Sequence, residues 1–453
     1  MGIAYNAQIS CTVGAIGDPP QIDYDKFYSW EESIAPNIDI IVQPYTYNSK
    51  NTYQYSDETQ EKIAGFLGKG RGGKGTILIL NGGQRGHKSH VAGCTASGFS
   101  YEPIVVSSSN VRGEITYYSE GSGNVLVNAL ATGQSSDQGT GGNVPKAIAV
   151  SSEDNTSFTE VTGSHVSCAV VAGVVALMLE ANPELLVRDV QIILIKTATI
   201  TDPYHPKWMT NAAGYKYNPM FGFGRVDAER AVNVSKTWKP VNGSISKINF
   251  ENQFYLPCGQ QQESNFTFKV ETDSHFIEYV SIQFTLKSNN VQGVVMQMIS
   301  PSGTKFTVIQ PTIVDQAANG THFIGAARAF FGEDANGEWT ITFHRDGLIE
   351  DDYITFTKFT VIGIMPNELP ECPRGVGYDL TKNFKIVPEC KVGMDDHVDI
   401  TKPIMVAVNT TFEGYEDGLK NVLTYFVENT PSQRKYNLGV FDYPFNEKMS
   451  IGT

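Results

Sequence analysis

The stretch SCAVVAGVVALMLEA (167–181) constrains the fold more than any other part of the chain. Small and branched apolar side chains fill nearly every position. A helix made from it has no polar face to offer water and belongs at the centre of a core. Its fully apolar part, CAVVAGVVALML from Cys168, runs twelve residues before Glu180. A bilayer span needs roughly 20, so the run predicts a buried helix of a soluble protein and no membrane span. The 453 residues are enough for two or three domains with sizeable cores. A composition of 41% hydrophobic and 18% charged residues fits a folded globular chain rather than disorder. The formal charge of −14 argues against a nucleic-acid partner, because phosphate binding depends on Lys and Arg.

Around that helix, residues 1–236 alternate short apolar runs with helical stretches, the pattern of an α/β domain. NIDIIV (37–42), GTILIL (75–80), PIVVSS (103–108) and KAIAVSS (146–152) read as buried parallel strands. DETQEKIAGFLGKG (57–70) reads as a helix with an acidic first turn and a glycine-rich exit, and PELLVRDVQIILIKTA (183–198) as another. After ERAVNVSKTWKP the pattern changes. Residues 246–364 alternate apolar and polar side chains between Gly, Asn and Ser turns, as in YVSIQFTL and FTKFTVIGI. That predicts an antiparallel β-sandwich, with Trp339 of GEWTITF in its core. NELPECPR works as a linker, and residues 365–453 form a tail of no assignable class.

The six cysteines are Cys11, Cys94, Cys168, Cys258, Cys372 and Cys390, and none has zinc-ligand spacing. Cys372 and Cys390 are placed to close a small loop, while Cys168 falls inside the apolar helix as a small core residue would. Sequons at Asn155, Asn233, Asn242, Asn265, Asn319 and Asn409 join the tail cysteine pair in favouring a secretory or extracellular glycoprotein. MGIAYNAQIS lacks the charged start and apolar run of a signal peptide, and Asn6 stands where N-myristoylation needs Ser or Thr.

Several blocks, in order over roughly residues 1–364, resemble the kexin/furin branch of the subtilisin-like serine proteases. MGIAYNAQI resembles the strand after that family's catalytic-His helix, and GKGRGGKGTILIL its glycine loop and central strand. GVVALMLEANPELLVRDVQ resembles the nucleophile helix and its successor, and YNPMFGFGRVDAERAV the closing glycine-rich turn. SPSGTKF, GEDANGEWTITF and FTKFTVIGI resemble the P, or Homo B, domain. The resemblance implies a subtilisin-like α/β domain followed by an all-β jelly-roll P domain. The α/β domain is expected to be N-terminally incomplete, because the family's Asp and His elements precede the AYNA strand. The implied chemistry is a triad in which a Ser hydroxyl attacks the peptide carbonyl, a His removes its proton and an Asp orients the His, with an Asn amide in the oxyanion hole.

At the reacting positions this chain departs from the family. Registering VAGVVALMLEANP on the nucleophile helix puts Gly163 on the motif glycine and His165 where the serine stands. Ser164 and Ser167 lie nearby but leave the helix start at other angles. Counting from GTILIL to PIVVSS without a gap puts Gln84 at the oxyanion asparagine. The acidic loop that gives the family its preference for Arg and Lys aligns with PYTYNSKN (44–51), which has no acid and contributes Lys50; another pocket acid falls at Thr95. Calcium is implied by the resemblance, but of the carboxylates gathered around it only Glu120 remains. Cys94 aligns with a disulfide cysteine whose partner position holds Ala92.

GHKSHVAG (86–93) resembles the HGTHVAG segment of subtilisins, which would make His87 a general base. Its position after the central strand, with no AYNA strand following, fits a polar loop better, and no ligand spacing supports metal binding by His87, His90 or His165. At a helix N-terminus the dipole disfavours imidazolium, so His165 is expected to be neutral and, with no base beside it, a poor nucleophile. The resulting expectation is a kexin/furin-type homologue, inactive as a peptidase, that binds a protein or peptide partner. The alternatives are a serine endopeptidase processing proproteins at basic sites and a structural extracellular glycoprotein.

Overall fold

The computed structural model describes residues 37–44, 57–84, 101–133, 163–241, 243–255, 264–287, 294–309, 321–345 and 353–364. It also describes short segments at 3–4, 7–8, 15–16, 21–22, 86, 149–151, 158–160, 404–406, 438–441 and 448–451. The first domain is α/β. Strands β1 (Ile40–Gln43), β2 (Ile77–Asn81), β3 (Ile104–Ser109) and β4 (Val125–Leu130) pair in parallel in that order. Helix α1 (Asp57–Gly73) crosses between β1 and β2, leaving helical geometry at Gly70, Arg71 and Gly72. Every residue of β3 is buried, as a strand covered on both faces requires.

KAIAVSS is a correction. Its described part, Ala149–Ser151, pairs antiparallel with Phe158–Glu160 rather than in the parallel sheet. The remaining parallel strand is β4, whose central Asn128 interrupts an otherwise apolar run. That side chain accepts from Ser109 Oγ at 2.6 Å and donates to the Phe221 carbonyl at 3.1 Å, which makes its burial tolerable.

Helix α2 (His165–Ala181) carries the apolar run, and Val171, Val174, Val175 and Met178 share a core with Ile79, Val106 and Val127. Cys168 is fully buried there. Helix α3 (Val187–Thr197) is held at its start by Asp189, which accepts from Leu186 N at 2.8 Å, Trp238 Nε1 at 2.9 Å and Val241 N at 3.0 Å. Helix α4 (Ala228–Ser235) follows a turn in which Gly222 has φ +63°. A Cβ there would lie 2.3 Å from the Leu126 carbonyl, so only glycine lets the turn approach β4.

The second domain is the jelly-roll sandwich. Its strands are β5 (Gly243–Tyr255), β6 (Ser264–Val270), β7 (Phe276–Lys287), β8 (Val294–Ile299), β9 (Lys305–Ile309), β10 (Thr321–Ala327), β11 (Gly337–Arg345) and β12 (Tyr353–Ile364). They form two antiparallel sheets ordered β5-β12-β7-β10 and β6-β11-β8-β9. Phe266 stacks on Phe356 at 5.2 Å and Trp339 lies 5.2 Å from Phe359, joining the sheets through a dry aromatic core. In the tail, Ile404–Val406, Leu438–Phe441 and Lys448–Ile451 form a small sheet.

A polar seam joins the domains. Arg328, just after β10, is almost wholly buried. Its Nε donates to Asn124 Oδ1 at 2.7 Å, Nη1 to Gln191 Oε1 at 2.8 Å, and Nη2 to the Tyr101 carbonyl at 2.9 Å. The guanidinium also lies 5.5 Å and 5.4 Å from the ring centroids of Tyr101 and Tyr279. Arg188 of α3 pairs with Glu278 of β7 at 2.9 Å, and Asn211 Nδ2 donates to the Ala329 and Phe331 carbonyls.

Candidate functional site

The site forms where the C-terminal ends of β1 and β2 meet the N-terminus of α2, the edge of a parallel sheet at which ligands commonly bind. Gly163 lets the chain turn into α2 with φ +117°. A Cβ at this position would stand 2.9 Å from His165 Cδ2 and 3.2 Å from both Gln84 Oε1 and Nε2. His165 is the first residue of the helix. Its Nδ1 is hydrogen-bonded to the Pro44 carbonyl at the end of β1. Asn81 Nδ2 donates to the same carbonyl at 3.1 Å and lies 3.3 Å from Nδ1.

These contacts place a hydrogen on Nδ1. The Pro44 oxygen can only accept, so Nδ1 carries a hydrogen, and the Asn81 amide nitrogen, also a donor, makes no hydrogen bond to it. Of the two neutral tautomers, this contact selects the one with its lone pair on Nε2. Pro44 O receives both donors on its two lone pairs.

Neither neighbouring serine is presented as a nucleophile. Ser164 is fully buried and donates to Gln84 Oε1 at 3.4 Å. Ser167 is also fully buried, with Oγ 3.0 Å from Ser108 Oγ and 3.1 Å from the Ala129 carbonyl oxygen. Burial pushes the Cys168 thiol up to about 12, so it stays protonated and inert.

The sequence reading missed Asn81. The gapless count reached Gln84, whereas the structure lays the Gln84 amide against residues 163 and 164 and brings the Asn81 amide to residue 165. The available signal was the run Asn81-Gly82-Gly83 directly after GTILIL. Gly83 N donates to Asn81 Oδ1 at 2.9 Å, which turns the amide nitrogen towards α2.

Glu120 is buried with its carboxylate packed on Gly83, and Oε1 accepts from Gln84 N at 3.0 Å. Calcium takes six to eight oxygens, and among the described residues no three His, Cys, Asp or Glu side chains lie together. With one Glu120 oxygen already accepting a backbone hydrogen, the described residues do not fit a calcium ion. His87, His90, Cys94, Thr95 and Lys50 lie outside the described residues. No helix among those described is long and apolar enough to cross a membrane.

Comparison with known proteins agrees with this architecture. Residues 1–224 match the subtilase family and residues 277–362 the proprotein convertase P-domain. Furin-like protease 1 of Drosophila melanogaster is 28% identical over 69% of this chain and 25% of its own length. Human furin is 26% identical over 73% of this chain and 41% of its own. An endoprotease of Onchocerca volvulus, bli, is 30% identical over 60% of this chain and 40% of its own. The chain therefore spans about a quarter to two-fifths of these relatives. A serine protease of Aeromonas sobria shares the fold, with a TM-score of 0.63 at 16% identity over 74% of each chain.

Proposed function

The chain belongs to the subtilase family, in the branch that adds a proprotein convertase P-domain, and from this membership we propose that it binds extended polypeptide segments beside α2 without hydrolysing them. One observation carries the reading. The side chain offered at the head of α2 is an imidazole engaged with the Pro44 carbonyl, while both nearby serine hydroxyls are buried and bonded elsewhere. Neither Ser164 nor Ser167 is hydrogen-bonded to an imidazole, and general-base activation needs that contact. Asn81 is the amide on this face that a bound carbonyl would meet first. The partner would be a protein or peptide met along the secretory route, for which the sequons speak.

The test is direct. Purified protein is incubated with a fluorogenic dibasic peptide, and binding of the same peptide is followed by thermal shift. A raised melting temperature with no cleavage is expected, because a ligand of the native state stabilises it. Turnover that disappears in His165→Ala would overturn the proposal.

A second reading is a serine endopeptidase that processes proproteins at basic sites. The relatives favour it more directly than they favour inactivity, since they are named furin, furin-like protease and endoprotease. It requires a nucleophile other than the described Ser164 and Ser167 in their present positions.

A further inference from the structure

Resting on the proposed peptide-binding reading, we infer that His165 is an internal latch that holds this site shut until a polypeptide displaces it. The head of α2 is tied to the end of β1 by the imidazole Nδ1–H on the Pro44 carbonyl. Asn81 Nδ2 is drawn onto the same oxygen at 3.1 Å. The polar groups that an extended chain could use here, a carbonyl acceptor on β1 and an amide donor on β2, thus satisfy each other.

Opening exchanges two bonds on one oxygen. If the ring swings away, Pro44 O regains a lone pair for an incoming backbone N–H, and Asn81 Nδ2 leaves that oxygen when an incoming carbonyl takes its place. The imidazole is well placed for this because its other side is not packed away: His165 is half-buried, whereas Ser164 and Ser167 beside it are fully buried. A ligand that donates one backbone hydrogen bond and accepts another replaces the latch one for one, so the tie sets a threshold without abolishing binding. Short polar molecules with a single hydrogen-bonding group lack this exchange. The latch therefore selects for extended polypeptide.

The experiment uses the full chain, a dibasic and an acidic decapeptide as probes, and His165→Ala beside His165→Asn. Asparagine keeps an N–H close to the Nδ1 position, so it retains the latch, and alanine removes it. His165→Ala is expected to bind its preferred decapeptide on the order of five- to tenfold more tightly than wild type, the worth of one hydrogen bond. His165→Asn should stay within about twofold of wild type. Separately, the imidazole 15N shifts of His165 should report the Nδ1–H tautomer in the free protein. An Nε2–H tautomer, or equal affinity of wild type and His165→Ala, overturns the latch. Failure of both decapeptides to bind any variant, with the Nδ1–H tautomer present, overturns the binding reading instead. If His165→Ala does not fold, the tautomer and the His165→Asn affinity still decide.

Discussion

Cys168 and His165 stand three positions apart on α2 and have opposite fates. The thiol is sealed in the core with its pKa pushed to about 12, so alkylation at pH 8 should leave it unmodified in the native chain and complete on denaturation, read by mass spectrometry of its peptide. Rapid native labelling would mean that the helix does not sit in the core as described. His165 instead faces β1, and its tautomer follows from a carbonyl partner rather than from a catalytic carboxylate. His205, in the loop after α3, shows a third environment. Its Nδ1 accepts from Asn218 Nδ2 at 3.0 Å and from Lys207 N at 3.3 Å, and burial, with Lys207 nearby, lowers its pKa from 6.5. The unfolded chain then binds the extra proton, so stability present above about pH 6.5 is lost as pH falls through the lowered folded value. Melting temperatures from pH 7.5 to 5 should fall less steeply in His205→Asn, which keeps an acceptor without titrating. Parallel slopes would remove His205 from the account.

At the scale of elements, the turn into α2 depends on Gly163. Its φ of +117° and the Gln84 amide and His165 ring around it leave no room for a side chain. Gly163→Ala should cost about 1–3 kcal/mol of stability by denaturant melts, the usual strain of a non-glycine residue in such a conformation. A neutral outcome would mean the turn relaxes freely. The periodic elements were legible in advance: the apolar run is the central helix and Trp339 is buried in the sandwich. What failed to read were features set by partners. KAIAVSS resembles a buried strand by composition, yet its described part pairs with the nearby Phe158–Glu160. Asn81 was hidden because a gapless count from GTILIL to PIVVSS does not tell which amide after β2 is brought to residue 165. The Asn128 strand was overlooked because the polar residue at its centre is satisfied only by contacts from β3 and the turn after α3.

Over the whole molecule, the seam ties the domains with buried polar bonds beside aromatic contacts such as Tyr217–Phe306 and Phe223–Phe331. Its partners are far apart in sequence, Arg328 lying 204 and 137 positions from Asn124 and Gln191 and Arg188 lying 90 from Glu278, so no local pattern announces them. Arg328→Met should cost roughly 3–5 kcal/mol, since it strips several buried acceptors of their donor. Calorimetry of wild type should show both domains unfolding in one transition, and the variant should split it or lower it sharply. Separate wild-type transitions would show that the seam is mere contact. A consequence follows for anyone swapping modules between such proteins. A foreign sandwich spliced in at residue 243 would arrive without a cation for Asn124 and Gln191 or an anion for Arg188. Such hybrids should misbehave unless the arginine at 328 and the glutamate at 278 are carried across with it.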